Sequence, residues 1–190
     1  MNEVYEEDRS FENIDFTIDR LPVGEYEACT FVGCNFAETD MSGIVFSDCE
    51  MTGCNLAMAR LSGASLRDVR FKDCKLLGVR FYECTEFLFA VNFDNCQLDL
   101  SSFYNLKIKN TQFKDSSIRE VDFSGADLTK AKFENCDLSG ATFESSVIEK
   151  ADFRLAYNYG FDPDVNRIKG AKFSREGVAG LLNKYDIEID

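Results

Sequence analysis

The chain has 190 residues, with 34 acidic against 21 basic side chains and a formal net charge of −13. That balance argues against a phosphate-neutralising surface that would bind nucleic acid directly. Histidine is absent, which removes every Ser-His and Cys-His nucleophile arrangement and the commonest metal ligand.

The amino terminus, Met1 to Asp8, is acidic where a secretory signal would be basic and then apolar. No run approaches the roughly 18 apolar residues of a membrane span. These features predict a soluble cytoplasmic protein with no membrane partner, in which the eight cysteines stay reduced.

From Phe11 a large apolar residue recurs every five positions as far as Phe81, 15 centres in all. The frame then slips by two within Tyr82 to Phe87, and 14 more centres follow from Leu88 to Phe153. The residue two before each centre is mostly small (Cys29, Cys34, Thr39, Cys49, Cys54, Ala59), and the remaining three positions are mostly polar. A period of five fits neither a helix nor a strand. It fits a short extended segment plus a turn, with one large and one small side chain directed inward. In the second frame Phe93, Phe113, Phe133 and Phe153 recur every 20 residues, as do Phe103, Phe123 and Phe143. A coil of four sides stacks like on like. The alternation itself repeats every ten residues, so four sides is the compact solution.

The units Ala126-Asp127-Leu128-Thr129-Lys130 and Cys136-Asp137-Leu138-Ser139-Gly140 resemble the pentapeptide-repeat family, whose pattern is A(D/N)LXX. The resemblance covers about residues 11 to 153. It implies an all-β fold, a right-handed quadrilateral parallel β-helix of about seven coils. At roughly 4.8 Å per coil the rod would be on the order of 35 Å long. Residues 1–10 are expected to cap its amino-terminal end, 11–153 to form the repeats, and 154–173 an irregular final coil. Residues 174–190 are expected to add a short helix, capped by Ser174, and a tail.

Coil, helix and tail together are similar to the ending of the Qnr quinolone-resistance branch, where that ending forms a two-fold dimer. The resemblance implies a homodimer through the carboxyl terminus, with Val178, Leu181, Leu182 and Tyr185 as its apolar stripe. It also implies a partner, a type II topoisomerase such as DNA gyrase or topoisomerase IV, met by DNA mimicry. Many members of that branch carry projecting loops. Here the two-residue slip is closer to a bulge.

All eight cysteines fall in the small inward register, which predicts buried structural thiols. Asp162-Pro163-Asp164-Val165-Asn166 begins like a calcium loop, but Arg167 and Phe173 occupy the positions that need Gly and Glu. A convex rod offers its carboxylates no pocket, so the sequence predicts no enzyme, cofactor or metal.

Residues 120–164 hold ten acids against four bases. Over about two and a quarter coils, roughly 11 Å, duplex DNA would carry about six charges, close to the net charge of this stretch. Glu120, Asp122, Asp127, Asp137, Glu144 and Asp152 are the candidate DNA-mimicking residues. Solubility explains acidity equally well. The alternative function is a structural or regulatory scaffold, whose partner would read outward apolar residues such as Met58, Leu77, Phe89, Leu100 and Tyr104.

Overall fold

The computed structural model describes residues 4–185, 187 and 188. Twelve short strands follow one another: β1 (Val4–Glu7), β2 (Ser10–Glu12), β3 (Gly24–Glu27), β4 (Thr30–Val32), β5 (Val45–Ser47), β6 (Glu50–Thr52), β7 (Ser65–Arg67), β8 (Val69–Lys72), β9 (Val91–Asp94), β10 (Gln112–Lys114), β11 (Lys132–Asp137) and β12 (Asp152–Tyr157). They form two sheets, one of eight strands in the order β12-β11-β10-β9-β8-β6-β4-β2 and one in the order β1-β3-β5-β7. Every pairing is parallel, and most partners lie 20 residues apart, as in Phe31 with Met51 and Phe113 with Phe133. Single bridges continue the pattern on the remaining sides, for example Asp122 with Thr142 and Lys107 with Asp127.

The fold is therefore a four-sided parallel β-solenoid. Face I carries the centres Phe31, Met51, Phe71, Phe93, Phe113, Phe133 and Phe153; face II follows it with Phe36, Leu56, Leu76, Leu98, Ile118 and Leu138. Face III carries Met41, Leu61, Phe81, Phe103, Phe123 and Phe143, and face IV carries Tyr26, Phe46, Leu66, Ile108, Leu128 and Ile148. All these centres are buried in one core. The phenylalanines of faces I and III stack along the axis, 4.9 Å apart for Phe113 and Phe133 and 4.5 Å for Phe81 and Phe103. Across the interior they meet edge to face, as Phe103 does with Phe113 at 6.0 Å. Both geometries suit the ring quadrupole.

The solenoid makes about eight turns, one more than the repeats alone predict. The additional faces come from segments outside the five-residue pattern. Val4–Glu7, within the expected cap, pair as β1 with β3, and Tyr157 pairs with Asp137 at the far end.

Corners are turned by residues two after the centre, with φ from +50° at Asp115 to +74° at Gly170. The Asp or Asn before the centre braces the turn. Its carboxylate or amide oxygen accepts the N–H two residues on, as Asp122 does from Ser124 at 2.9 Å and Asn55 from Ala57 at 3.2 Å. This hydrogen bond is the physical reason for the D/N of the repeat.

Two expectations near the frame slip are corrected. Pairing follows the first frame through Thr85, whose N–H donates to Ala64, and becomes regular again at Val91. The extra residues therefore lie in Glu86 to Phe89. Leu88 points into solvent and Phe89 fills the core, because the turn closed by Phe89 N–H on Glu86 rotates the chain by one position.

At the carboxyl end, a 3₁₀ helix (Gly177–Tyr185) begins where Ser174 Oγ accepts the N–H of Gly177 at 2.9 Å. Lys184 pairs with Asp162 and Asp164 of the last coil, and Leu181 packs on the end of the core.

Candidate interaction surface

The cysteines are structural. All eight are buried and free, and thiols such as Cys74 and Cys96 donate to the carbonyls of Met51 and Phe71 in the coil below, at 3.2 and 3.4 Å. Burial pushes the Cys84 and Cys136 thiols up to about 12, so neither is a nucleophile at neutral pH. Among the described residues, no group of three or more Cys, Asp or Glu is arranged to hold a metal ion.

The six candidate carboxylates are distributed around the rod. Asp152 lies on face I, Asp137 on face II, Glu120 at the edge of faces II and III, Asp122 and Glu144 on face III, and Asp127 on face IV. Four of them, Asp122, Asp127, Asp137 and Asp152, are the turn-bracing residues of their repeats. Three of those four also carry a cationic partner. Asp127 pairs with Lys109 at 3.0 Å, Asp152 with Arg154 at 2.7 Å and Asp137 with Arg119 at 2.7 Å.

Asp137 is buried, and burial alone would raise its pKa. Hydrogen bonds from Ser139, Asn158 and Arg119 outweigh that and hold it down at about 2. Much of the acidity in residues 120–164 is thus architectural. Glu120, Asp122 and Glu144 are the three without a cation within 4.0 Å among the described residues.

Uncompensated charge is densest at the other end. Glu7, Asp8, Glu12, Asp15, Asp19, Glu27, Glu38, Asp48 and Glu50 have no cationic partner among the described residues, and residues 4–55 contain only Arg9 and Arg20 as bases. These nine carboxylates surround the first two and a half coils. The composition of residues 1–28 already signalled this, but pairing is visible only in three dimensions.

Face III has a different character. One outward row reads Asp40, Arg60, Arg80, Ser102, Asp122, Thr142, and the next reads Ser42, Ser62, Tyr82, Tyr104, Ser124, Glu144. The edge shared with face II reads Glu38, Met58, Gly78, Leu100, Glu120, Gly140. Met58 folds over Gly78, and the rings of Tyr82 and Tyr104 meet edge to face at 6.4 Å. Arg60 pairs with Asp40 and Arg80 with Glu83.

Met58, Leu88 and Leu100 are 55%, 62% and 57% exposed, and all three have positive φ. An L-residue in that conformation costs on the order of 1 kcal/mol, and neither the turn nor the core asks for a large apolar side chain there. Of the five apolar residues expected as contacts, Met58, Leu100 and Tyr104 are exposed and Leu77 is half-buried. Phe89 is buried and is withdrawn; its neighbour Phe87, 67% exposed, takes its place.

The apolar stripe of the terminal helix divides. Leu181 is buried against the chain's own last coil, Leu182 is half-buried, and Val178 and Tyr185 are exposed.

The family model described as the pentapeptide repeat region matches residues 25–86 and 87–156. Among solved structures, full-length QnrB1, a plasmid-mediated fluoroquinolone resistance protein, is 15% identical and superposes with a TM-score of 0.64 over 97% of this chain and 100% of that chain. HetL of the cyanobacterium Nostoc, a pentapeptide-repeat protein involved in heterocyst differentiation regulation, is 16% identical, with a TM-score of 0.48 over 92% of this chain and 89% of that one. No curated protein sequence matches the chain significantly.

Proposed function

Because the chain belongs to the pentapeptide-repeat family, we propose that it is a non-enzymatic, cytoplasmic binding rod whose acidic exterior stands in for duplex DNA and engages a type II topoisomerase, DNA gyrase or topoisomerase IV. The observation that carries this reading is the girdle of nine uncompensated carboxylates in the first coils. Two and a half coils span roughly 12 Å, in which duplex DNA carries about seven charges. The mimicking surface is therefore centred on Glu12, Asp19, Glu38 and Asp48, with Glu120, Asp122 and Glu144 as a smaller second patch.

Homodimerisation through the carboxyl terminus belongs to the same proposal. It uses Val178, Leu182 and Tyr185, since Leu181 already serves its own chain. Among the described residues no helix is long and apolar enough to cross a membrane.

The test is DNA supercoiling by purified gyrase, titrated with this protein with and without a quinolone and across a salt series. Inhibition or drug protection that weakens as salt rises supports mimicry. A complex indifferent to salt, or no effect from folded protein, overturns it.

A scaffold reading is favoured by one specific feature, the Phe87–Leu88 bulge. There a regular, polar-clad rod leaves two adjacent large apolar side chains in solvent. Such a pair is a natural anchor for a protein pocket.

A further inference from the structure

The corner between faces IV and I is charged in opposite senses on either side of one exposed leucine. Below Leu88 its row of positive-φ residues carries Asp8, Asp48 and Asp68; above Leu88 come Asn110, Lys130 and Lys150. The adjoining row of face I repeats the change, with Glu50 two coils below Asn92 and Lys132 two coils above it. On the face IV side, Glu7 stands at the bottom and Lys169 at the top. All these charged side chains are exposed, and none has an opposite charge within 4.0 Å among the described residues. The carboxylates beside the lysines are already held by other cations: Asp127 by Lys109, Asp152 by Arg154 and Glu149 by Arg167. At the level where the sign changes, Phe87 and Leu88 stand in solvent.

We propose that the occupant of this corner is a second copy of this chain, lying antiparallel about a two-fold axis that crosses the rods at the Leu88 level. A two-fold across the rods keeps each row opposite its own counterpart and inverts the order of the coils. Asp48 then faces Lys130 and Glu50 faces Lys132, each twice, and at the ends Glu7 faces Lys169. Phe87 and Leu88 meet their counterparts at the centre, which gives an apolar contact flanked by ion pairs. A partner of uniform charge would be drawn to one half of the corner and repelled by the other.

Two positions bring like charges opposite each other, Arg67 with Lys109 and Glu27 with Glu149. Each of these four has a partner in its own chain: Glu25, Asp127, the Tyr5 hydroxyl and Arg167 respectively. Arg70, an exposed base of the lower half, faces the neutral Gln112. From the Asp48 level to the Lys130 level the contact spans four coil steps, roughly 19 Å. The dimer is therefore weak, sensitive to salt and formed at high protein concentration. It is separate from the carboxyl-terminal contact. Asp48 belongs also to the proposed DNA-mimicking surface, but cross-linking is read without gyrase, so either reading can fail alone.

Leu88→Cys tests the axis. All eight native thiols are buried, so the new thiol is the one exposed cysteine among the described residues. Diamide, the oxidant, takes two electrons and two protons from a pair of thiols. With it, Leu88→Cys is expected to give a disulfide-linked dimer at least tenfold faster than Met58→Cys. Met58 is a similarly exposed corner of the same backbone conformation, on the diagonally opposite edge of the rod. In a dimer joined only through the carboxyl-terminal ends, the two Leu88 sites would be roughly 40 Å apart and unable to react.

In the Leu88→Cys background, Asp48→Lys and Lys130→Asp should each slow cross-linking about tenfold, and together restore it. Lysine already occupies this turn position at Lys130 and Lys150, so the swaps should leave the melting temperature unchanged. Added salt should slow cross-linking at position 88. Equal rates at positions 88 and 58, a rate at 88 indifferent to salt, or a double swap no better than its single variants overturns the proposal.

Discussion

Asp137 shows how one residue can satisfy the repeat and the tertiary structure at once. It braces its own turn through Ser139, receives Arg119 from the coil below and holds Asn158 of the coil above at 2.9 Å. Asp137→Ala leaves the half-exposed Arg119 unpaired and frees two turns, so a loss of about 2–3 kcal/mol in chemical denaturation is expected. The pH dependence has a defined sign. A carboxyl held at about 2 in the folded state contributes fully above the ordinary carboxylate range, near 4. That contribution is lost as pH falls from about 4 towards 2. The Ala variant should therefore lose less stability than the wild type over that interval in an acid titration. Phe123→Asp is a harsher change. It buries a carboxylate between Phe103 and Phe143, whose rings lie 5.3 and 5.1 Å away, and no folded protein is expected by circular dichroism.

Two elements depart from the repeat, and each has a consequence. The Glu86–Phe89 bulge adds two residues to a coil that otherwise closes in 20, shifting the step to 22, as from Phe71 to Phe93. Deleting Phe87 and Leu88 restores the common period. The variant is expected to keep its melting temperature within a few degrees, because neither side chain contributes to the core. Under the scaffold reading it should lose partner binding, measured by pull-down. The terminal 3₁₀ helix closes the open end of the solenoid, where Phe153, Phe161 and Phe173 would otherwise face water. Leu181→Asp should lower the melting temperature of the single chain, whereas Val178→Asp should leave it unchanged and lower only the solution mass. Equal effects of the two variants on melting would show that Leu181 does not cap the core.

At the scale of the whole rod, the charge is uneven along the axis, acidic at residues 1–28 and 120–164 and balanced between 29 and 81. Residues 1–28 carry nine acids against two bases, whereas residues 29–81 carry six of each. Reversing Glu12, Asp19, Glu38 and Asp48 to Lys together removes the densest uncompensated charge without breaking a cationic pair. In the gyrase titration this variant is expected to bind at least tenfold more weakly at low salt and to show a shallower salt dependence. Reversing Asp127, Asp137 and Asp152 should instead destabilise the fold, since each braces a turn and holds a cation. Thermal melting of the two variants separates a binding surface from an architectural one.

Sequence by itself determined the five-residue repeat and the inward register of its phenylalanines and cysteines, whereas the pairing of strands 20 residues apart is what decides that the coil has four sides. A repeat written 29 times leaves few other ways to bury a large and a small side chain every five residues. It also located the interruption to within a few residues. Tertiary structure alone decided that Phe89 rather than Leu88 enters the core, because the direction of a side chain in a bulge depends on how the turn closes. It decided, too, which carboxylates are free. Asp127 and Glu120 are equally acidic in the sequence, but Lys109 reaches Asp127 from the coil below and no cation reaches Glu120 among the described residues. Charge is a property of composition, whereas its compensation depends on which coils come to lie side by side.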